Sequence, residues 1–253
     1  MKHETNYHAA ITKWKEKKIT DIATLDIKLN NFYIPFAYHS GVIENNEITY
    51  QATREIFENH KIINFTDDIH TIQEIKNQKN CFEWLKSKMI EKIQITPKFI
   101  KQIHFLLTIE TYDERRYLQG ECPGEYKKHD YNVGSGHSAL PEEVPGEIEE
   151  LCVELQNISD NKDHVIIAAA YLHCKFENIH PFADGNGRVG RTLMNYFLII
   201  HDYPPLIIRN ETKYTYYKAL ERYDKTGELI PFINYMKHEM AETWKTPDHH
   251  SKT

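Results

Sequence analysis

Cysteine is sparse and unpatterned: Cys81, Cys122, Cys152 and Cys174 are widely spaced with no Cys-x-x-Cys pair, which argues against a thiolate metal centre and a disulfide framework. No stretch approaches the roughly 18 apolar residues needed to span a membrane. The opening Met-Lys-His-Glu-Thr-Asn lacks the apolar core of a secretory signal. Basic charge is also short: 31 Lys and Arg face 37 Asp and Glu, a net of −6, and the only basic segment is the brief one at residues 15–18. A nucleic-acid surface is therefore not indicated. Together these absences point to a soluble cytoplasmic protein with reduced thiols, no membrane and no nucleic-acid partner.

What is present is helical periodicity in a chain of 253 residues, long enough for a substantial core and without a composition break. Ile11, Trp14, Ile19, Ile22 and Leu25 predict an amphipathic helix over residues 8–28. Thr49 reads as the N-cap of a helix through Ala52, Ile56 and Phe57, and Ile72, Ile75, Phe82, Leu85 and Met89 mark another over residues 69–91. Thr96-Pro97 is a cap followed by proline at the first helical position, opening a helix through Leu107. Between residues 112 and 140 the periodicity stops, and Gly120, Gly124, Gly134 and Gly136 among Tyr126, Tyr131 and Val133 suggest a hairpin or extended flap. Beyond it, residues 141–155 start with an acidic turn, and residues 164–176 and 189–200 are apolar nearly all round, as helices buried on every side would be. Pro204-Pro205 stops the second of these, and helices follow over residues 214–223 and 231–244. The tail over residues 248–253 is polar and expected to be disordered.

Between the two apolar helices stands His180-Pro-Phe-Ala-Asp184-Gly185-Asn186-Gly187-Arg188-Val-Gly-Arg191. Gly185, Asn186 and Gly187 directly precede an apolar run, so they form a tight turn feeding a helix N-terminus. Unpaired backbone N–H groups and the positive end of the helix dipole converge there, a ready anion site. Arg188 and Arg191, three apart, share one face and suit a polyphosphate better than a single phosphate. Asp184 is a hard oxygen ligand fitted to Mg²⁺ shared with that polyphosphate. His180, one short loop away, is placed to take a proton from an attacking hydroxyl. Pro181 and Phe182 read as packing residues that fix the loop.

This string resembles, at all eight specified positions, the Fic family signature His-x-Phe-x-Asp/Glu-Gly-Asn-Gly-Arg-x-x-Arg. The resemblance implies an all-α fold with a small β-hairpin flap over the active site. It divides the chain into an N-terminal helical region (1–96), a Fic core (97–245) and a polar tail (246–253). It further implies a protein adenylyltransferase that moves AMP from ATP to a Tyr, Thr or Ser hydroxyl of a target protein, and of itself. His180 would be the base and Asp184 the Mg²⁺ ligand. Gly185, Asn186 and Gly187 would cradle the α-phosphate, and Arg188 and Arg191 the outer phosphates. Asn195 and the pair Tyr216 and Tyr217 would lie near the nucleotide, as would Asp224, where relatives often have asparagine. Ser40 and Glu44, within a segment at about 31–46, resemble the family's inhibitory motif Ser/Thr-x-x-x-Glu-Gly/Asn. Glu44 would then pair with Arg191, exclude the γ-phosphate, and place a water for the reverse removal of AMP. Tyr131, Asn132, Val133 and Gly134 resemble the target-docking flap; Lys127-Lys128 depart from the arginine usual after the glycine. Open alternatives are a Fic-fold regulatory or binding module and a different phosphate-group transferase, kinase-like or phosphocholine-transferring. The oligomeric state, a homo-oligomer included, also stays open.

Overall fold

The computed structural model describes residues 2–16, 18–59, 68–131, 138–156 and 162–245. Among them are α1 (Lys2–Glu16), α2 (Ile22–Leu29), α3 (Tyr33–Val42), α4 (Tyr50–Asn59), α5 (Ile69–Glu91) and α6 (Pro97–Thr108). Then follow α7 (Glu114–Leu118), α8 (Val144–Gln156), α9 (Lys162–Ile179), α10 (Asn186–Ile200), α11 (Lys213–Thr226) and α12 (Ile230–Thr243). The described residues contain no strand, and the fold is all-α as expected. The expected hairpin lies partly outside the described residues, which exclude Asn132, Val133 and Gly134; ahead of it stands α7 instead. Only one cap signals that short helix, Asp113 Oδ1 accepting from Arg116 N–H at 2.9 Å. The polar tail from residue 246 is also outside the described residues.

Local chemistry sets most boundaries. Thr96 Oγ1 accepts from Phe99 N–H at 3.2 Å and Pro97 occupies the first turn of α6. Thr49 Oγ1 accepts from Ala52 N–H at 3.1 Å at the start of α4. The single helix expected over residues 8–28 is two, because Asp21 starts α2 with a reciprocal cap. Thr24 N–H donates to Asp21 Oδ1 at 2.8 Å, and Asp21 N–H donates to Thr24 Oγ1 at 3.1 Å. Helix α3 stops at Val42, after which the chain reverses so that Ile48 packs back on Gly41. A Cβ at Gly41 would lie 2.7 Å from Ile48 Cδ1, so any larger residue there would have to displace the end of that side chain.

Helix α10 is the axis of the core: of its residues only Gly187 is not buried. Helix α9 packs against it closely at Gly190, where a Cβ would lie 2.5 Å from Glu177 Oε1 and 3.2 Å from the His173 ring. Contrary to the all-round burial expected of α9, Ile167 is 42% exposed and Tyr171 half-buried, because α8, α10, α11 and α12 leave it one solvent face. One hydrophobic cluster runs from Tyr7 to Met240 and therefore crosses residue 96. Trp14 meets Trp244 edge-on at 5.2 Å and Phe32 stacks on Trp244 at 6.3 Å, joining α1 and the start of α3 to the end of α12. No helix of the described residues is long and apolar enough to cross a membrane.

Asn195, expected near the nucleotide, is occupied structurally. Its Nδ2 donates to Leu206 O at 2.9 Å and its Oδ1 accepts from Leu206 N–H at 2.8 Å, both ends buried. One donor and one acceptor of the amide are thereby spent on the backbone of residue 206. Asn195→Ala would strand two buried backbone groups, so urea unfolding should show stability lower by about 2–4 kcal/mol with an unchanged m-value. A loss below about 0.5 kcal/mol would mean that the tie is dispensable.

Candidate active site

The loop between α9 and α10 is built around two side chains that never reach solvent. His180, at φ +50°, turns the chain while its N–H still donates to Phe176 O at 3.0 Å. Phe182 then stacks on His104 of α6 with ring centroids 3.7 Å apart and planes 2° from parallel. His104 Nδ1 accepts from Gly124 N–H at 2.7 Å, so the ring proton sits on Nε2, 3.0 Å from Asp184 O. Burial pushes this imidazole down to about 3, which keeps it neutral in that tautomer. Asn186 closes the loop from the other side: Phe182 N–H donates to its Oδ1 at 2.9 Å and its Nδ2 donates to Phe182 O at 2.8 Å. The Asn186 side chain, expected to cradle phosphate, thus gives one donor and one acceptor to the loop backbone.

Gly185 caps α10 in the left-handed region at φ +77°, and a Cβ there would lie 2.6 Å from Thr108 Cγ2. No side chain caps the helix start, so the N–H groups of the first turn, with the positive dipole end behind them, have no capping acceptor. Asp184 stands beside it with its side chain 42% exposed. Its Oδ1 accepts from Gly185 N–H at 2.7 Å, and Arg116 Nε approaches its Oδ2 at 4.0 Å. Arg116 also donates through Nη1 to Ala183 O at 2.5 Å, so α7 clamps the loop.

Both arginines of the first turn already have carboxylate partners from the N-terminal half. Arg191, 1% exposed, donates from Nη2 to Glu44 Oε1 at 2.7 Å and to Ser40 O at 2.9 Å, and from Nε to Ser40 Oγ at 3.0 Å. Glu44 lies two residues past the end of α3 and not on its face, yet the turn delivers it to the same guanidinium. It lies so close over Gly187 that a Cβ at Gly187 would collide with Oε1. Arg188 donates from Nη1 to Glu74 Oε1 of α5 at 2.7 Å.

His180 is half-buried. Desolvation and then the Lys127 charge push it down to about 4, against weaker upward pulls from Glu44, a hydrogen bond to the Glu177 backbone, and Asp184. A half-exposed imidazole held neutral in this way can accept a proton. Lys127 N–H donates to Pro181 O at 2.9 Å and Ala139 N–H donates to Ile179 O at 3.3 Å, so the carbonyls on either side of His180 hold both ends of the 127–139 segment. Lys127 Nζ donates to Ser138 Oγ at 2.8 Å, and Ser138 Oγ donates to Tyr131 O at 3.2 Å, drawing those ends together.

Residues 94–198, from the start of α6 through most of α10, match the Fic/DOC family. This part of the chain is a Fic/DOC domain. The chain is 31% identical over 228 residues to Protein adenylyltransferase Fic of Drosophila persimilis, a match that covers 85% of this chain and 42% of that protein. It thus spans less than half the length of the curated relatives it matches. Its fold is similar to that of a Fic domain containing signaling protein from Bacteroides thetaiotaomicron, with TM-score 0.80, 24% identity and 94% of both chains covered. It is similar also to Fic-1 (aa134–508) of C. elegans, with TM-score 0.79, 23% identity, and 96% of this chain and 70% of that one covered.

Within the Fic domain and the helices behind it, the two tyrosines expected near the base differ. Tyr216 is 1% exposed with its hydroxyl 2.9 Å from His173 Nε2, a core position, whereas Tyr217, 45% exposed and 5.1 Å from the Tyr216 ring, has a free face. Asp224 Oδ1 accepts from Asn178 Nδ2 at 2.9 Å. Tyr131 donates to Glu121 Oε1 at 3.0 Å and lies under Arg116. Three contributors had no sequence signal: His104, Arg116 and Glu74. The first is one residue on an amphipathic helix, and the others act through contacts that no local spacing encodes.

Among the described residues no cluster of three or more His, Cys, Asp or Glu is arranged to hold a metal ion. One half-exposed carboxylate, Asp184, is nevertheless what Mg²⁺ needs when substrate phosphates and water supply the other ligands.

The charge relation between Lys127 and His180 is testable without any reaction. NMR titration should keep the His180 imidazole neutral down to about pH 4. In Lys127→Gln the midpoint should move up toward the ordinary histidine value, because a repelling cation is gone. An unmoved midpoint would leave desolvation as the whole cause.

Proposed function

We propose that the chain is a protein adenylyltransferase, transferring AMP from ATP to a hydroxyl side chain of a target protein, and that Glu44 restrains it. The observation that carries this reading is the single constellation at the start of α10: a helix N-terminus without a side-chain cap, Asp184 and Arg191, with the neutral, half-exposed His180 one short loop away. Its matched relatives named Protein adenylyltransferase Fic support it. ATP would lay its phosphates along the helix start, where backbone donors and dipole favour negative charge. The target hydroxyl oxygen attacks the α-phosphorus, the bond from that phosphorus to the bridging oxygen breaks, and pyrophosphate leaves. His180 accepts the hydroxyl proton. The Gly185-Asn186-Gly187 backbone would stabilise charge building on the α-phosphate, and Arg188 and Arg191 the charge farther along the chain. Asp184 would hold Mg²⁺, which neutralises phosphate charge when bound. Segment 127–139, fixed at both ends beside His180, would guide the target, an extended peptide registering through main-chain pairing.

Glu44 and the γ-phosphate need the same fork, and the tethered carboxylate has the advantage of effective concentration. Arg191 would then be unavailable to ATP until Glu44 withdraws. The same carboxylate would be placed to orient a water for removal of AMP.

Incubation with ATP labelled at the α- or γ-phosphate decides between readings. Label from the α-position alone is adenylylation; label from the γ-position alone is a kinase-like transfer; none from either, with Glu44→Gly also inactive, is a binding module. Glu44→Gly should raise α-label incorporation by about 5–150-fold, the range of a coupling of about 1–3 kcal/mol. His180→Ala in that background should lower turnover by about 10²–10⁴-fold with ATP binding largely kept. Arg191→Ala should not be rescued by Glu44→Gly. Equal incorporation by wild type and Glu44→Gly would sink the restraint.

A further inference from the structure

Outside the Fic domain, one carboxylate touches both the phosphate-facing arginines' turn and the segment that carries Glu44. Glu74 of α5 is 5% exposed; its Oε1 accepts from Arg188 Nη1 at 2.7 Å and its Oε2 accepts from Asn45 Nδ2 at 2.7 Å. Asn45 follows Glu44 directly. Its amide also reaches Thr71 Oγ1 at 3.2 Å, and its Oδ1 accepts from Glu47 N–H at 3.0 Å, so the turn behind Glu44 is fastened to α5. His70, half-exposed, has Nδ1 3.9 Å from Glu74 Oε2.

A guanidinium is planar, and fixing one of its nitrogens limits where the others can point. With Nη1 on Glu74, Arg188 Nη2 comes 3.8 Å from Asp184 Oδ1, and Nε is buried with no partner. A buried donor without an acceptor is costly unless something else supplies one. Nη2 of the same guanidinium lies at the start of α10, 3.6 Å from where a Cβ on Gly185 would stand. Glu74 itself, with 7% of its side chain exposed, cannot be replaced by solvent, unlike Glu44, whose side chain is 37% exposed. The two carboxylates therefore differ in kind: one can be exchanged for another anion, the other stays.

We infer that Glu74 is a positioning residue, holding Arg188 in the orientation that receives the phosphate chain while fastening the Glu44 turn to that same arginine through Asn45. The inference rests on the adenylyltransferase reading for the ligand. The two contacts have opposite consequences for ATP. Losing the Arg188 contact removes a phosphate ligand, and losing the Asn45 contact frees the inhibitory carboxylate. Different variants separate them.

The full chain carrying Glu44→Gly isolates the first contact. There, Glu74→Gln preserves shape and one acceptor oxygen but removes the charge that orients Arg188. Calorimetry should show ATP bound about tenfold more weakly, the weight of one aligned charge-assisted contact, with adenosine bound within twofold as before. In transfer assays KM for ATP should rise more than kcat falls, and Glu74→Asp should recover part of the ATP affinity. Equal losses for ATP and adenosine at an unchanged circular dichroism spectrum would make Glu74 a structural residue only. Tighter ATP binding would make it a lock on Arg188; either result overturns the inference. With Glu44 present, Asn45→Ala isolates the second contact and should tighten ATP binding several-fold. No change would show that Asn45 does not fasten the inhibitory turn. These are binding measurements, so they remain readable if Glu44→Gly incorporates no α-label, an outcome that would count against the transferase reading alone.

Discussion

A guanidinium does not give up its proton at any pH a protein survives, and this chain buries two of them in the first turn of its most central helix, Arg188 at 4% and Arg191 at 1% exposure. An unpaired buried charge there would be strongly destabilising. The turn can therefore exist only where anions are delivered to it, and the N-terminal half delivers them, Glu44 from beyond α3 and Glu74 from α5. This requirement explains why residues before the Fic domain share its hydrophobic cluster. It also makes the ground state and the proposed active state alternatives at one group: any nucleotide that reaches Arg191 replaces an anion already there.

Around this pair of cations the buried imidazoles are kept neutral, each for a different end. His104 and His173 are fully buried and pushed down to about 3, and each is bonded through a ring nitrogen, to Gly124 N–H and to the Tyr216 hydroxyl respectively. They order the loop and the α9–α11 contact. His180 is pushed down to about 4 but is only half-buried. The same physical effect, desolvation, thus yields two scaffold histidines and one proton acceptor, and exposure is what separates them.

Most helices were legible because their signals are local. The Thr96-Pro97 start of α6, the periodicity of α5 and the stop before Pro204 need only a few neighbouring residues. The 180–191 string was legible for the same reason, since turn, helix start, arginines and carboxylate lie within twelve positions. Where the reading departs from the structure, a local rule met a distant partner. Asn195 is held by Leu206, and Tyr216 by His173. The break between α1 and α2 depended on Asp21 and Thr24 capping each other, a pattern hidden inside a continuous apolar periodicity. Glu74 was invisible because its partner is 114 positions away. On sequence it is one more acid on an amphipathic helix.

Ser40 shows what the exchange at Arg191 would leave behind. Its carbonyl and hydroxyl both accept from the guanidinium, and neither carries charge. If Glu44 withdraws, Arg191 keeps its orientation through Ser40 and loses only its counter-charge. Burial makes that vacancy unfavourable, and the open side faces the start of α10, where a phosphate can supply the missing charge with oxygen geometry suited to the fork. The neutral anchor thus holds the arginine in place while the charged partner is exchanged. Separating orientation from neutralisation allows the site to be switched without being dismantled, and it requires that the exchangeable partner, Glu44, be the exposed one.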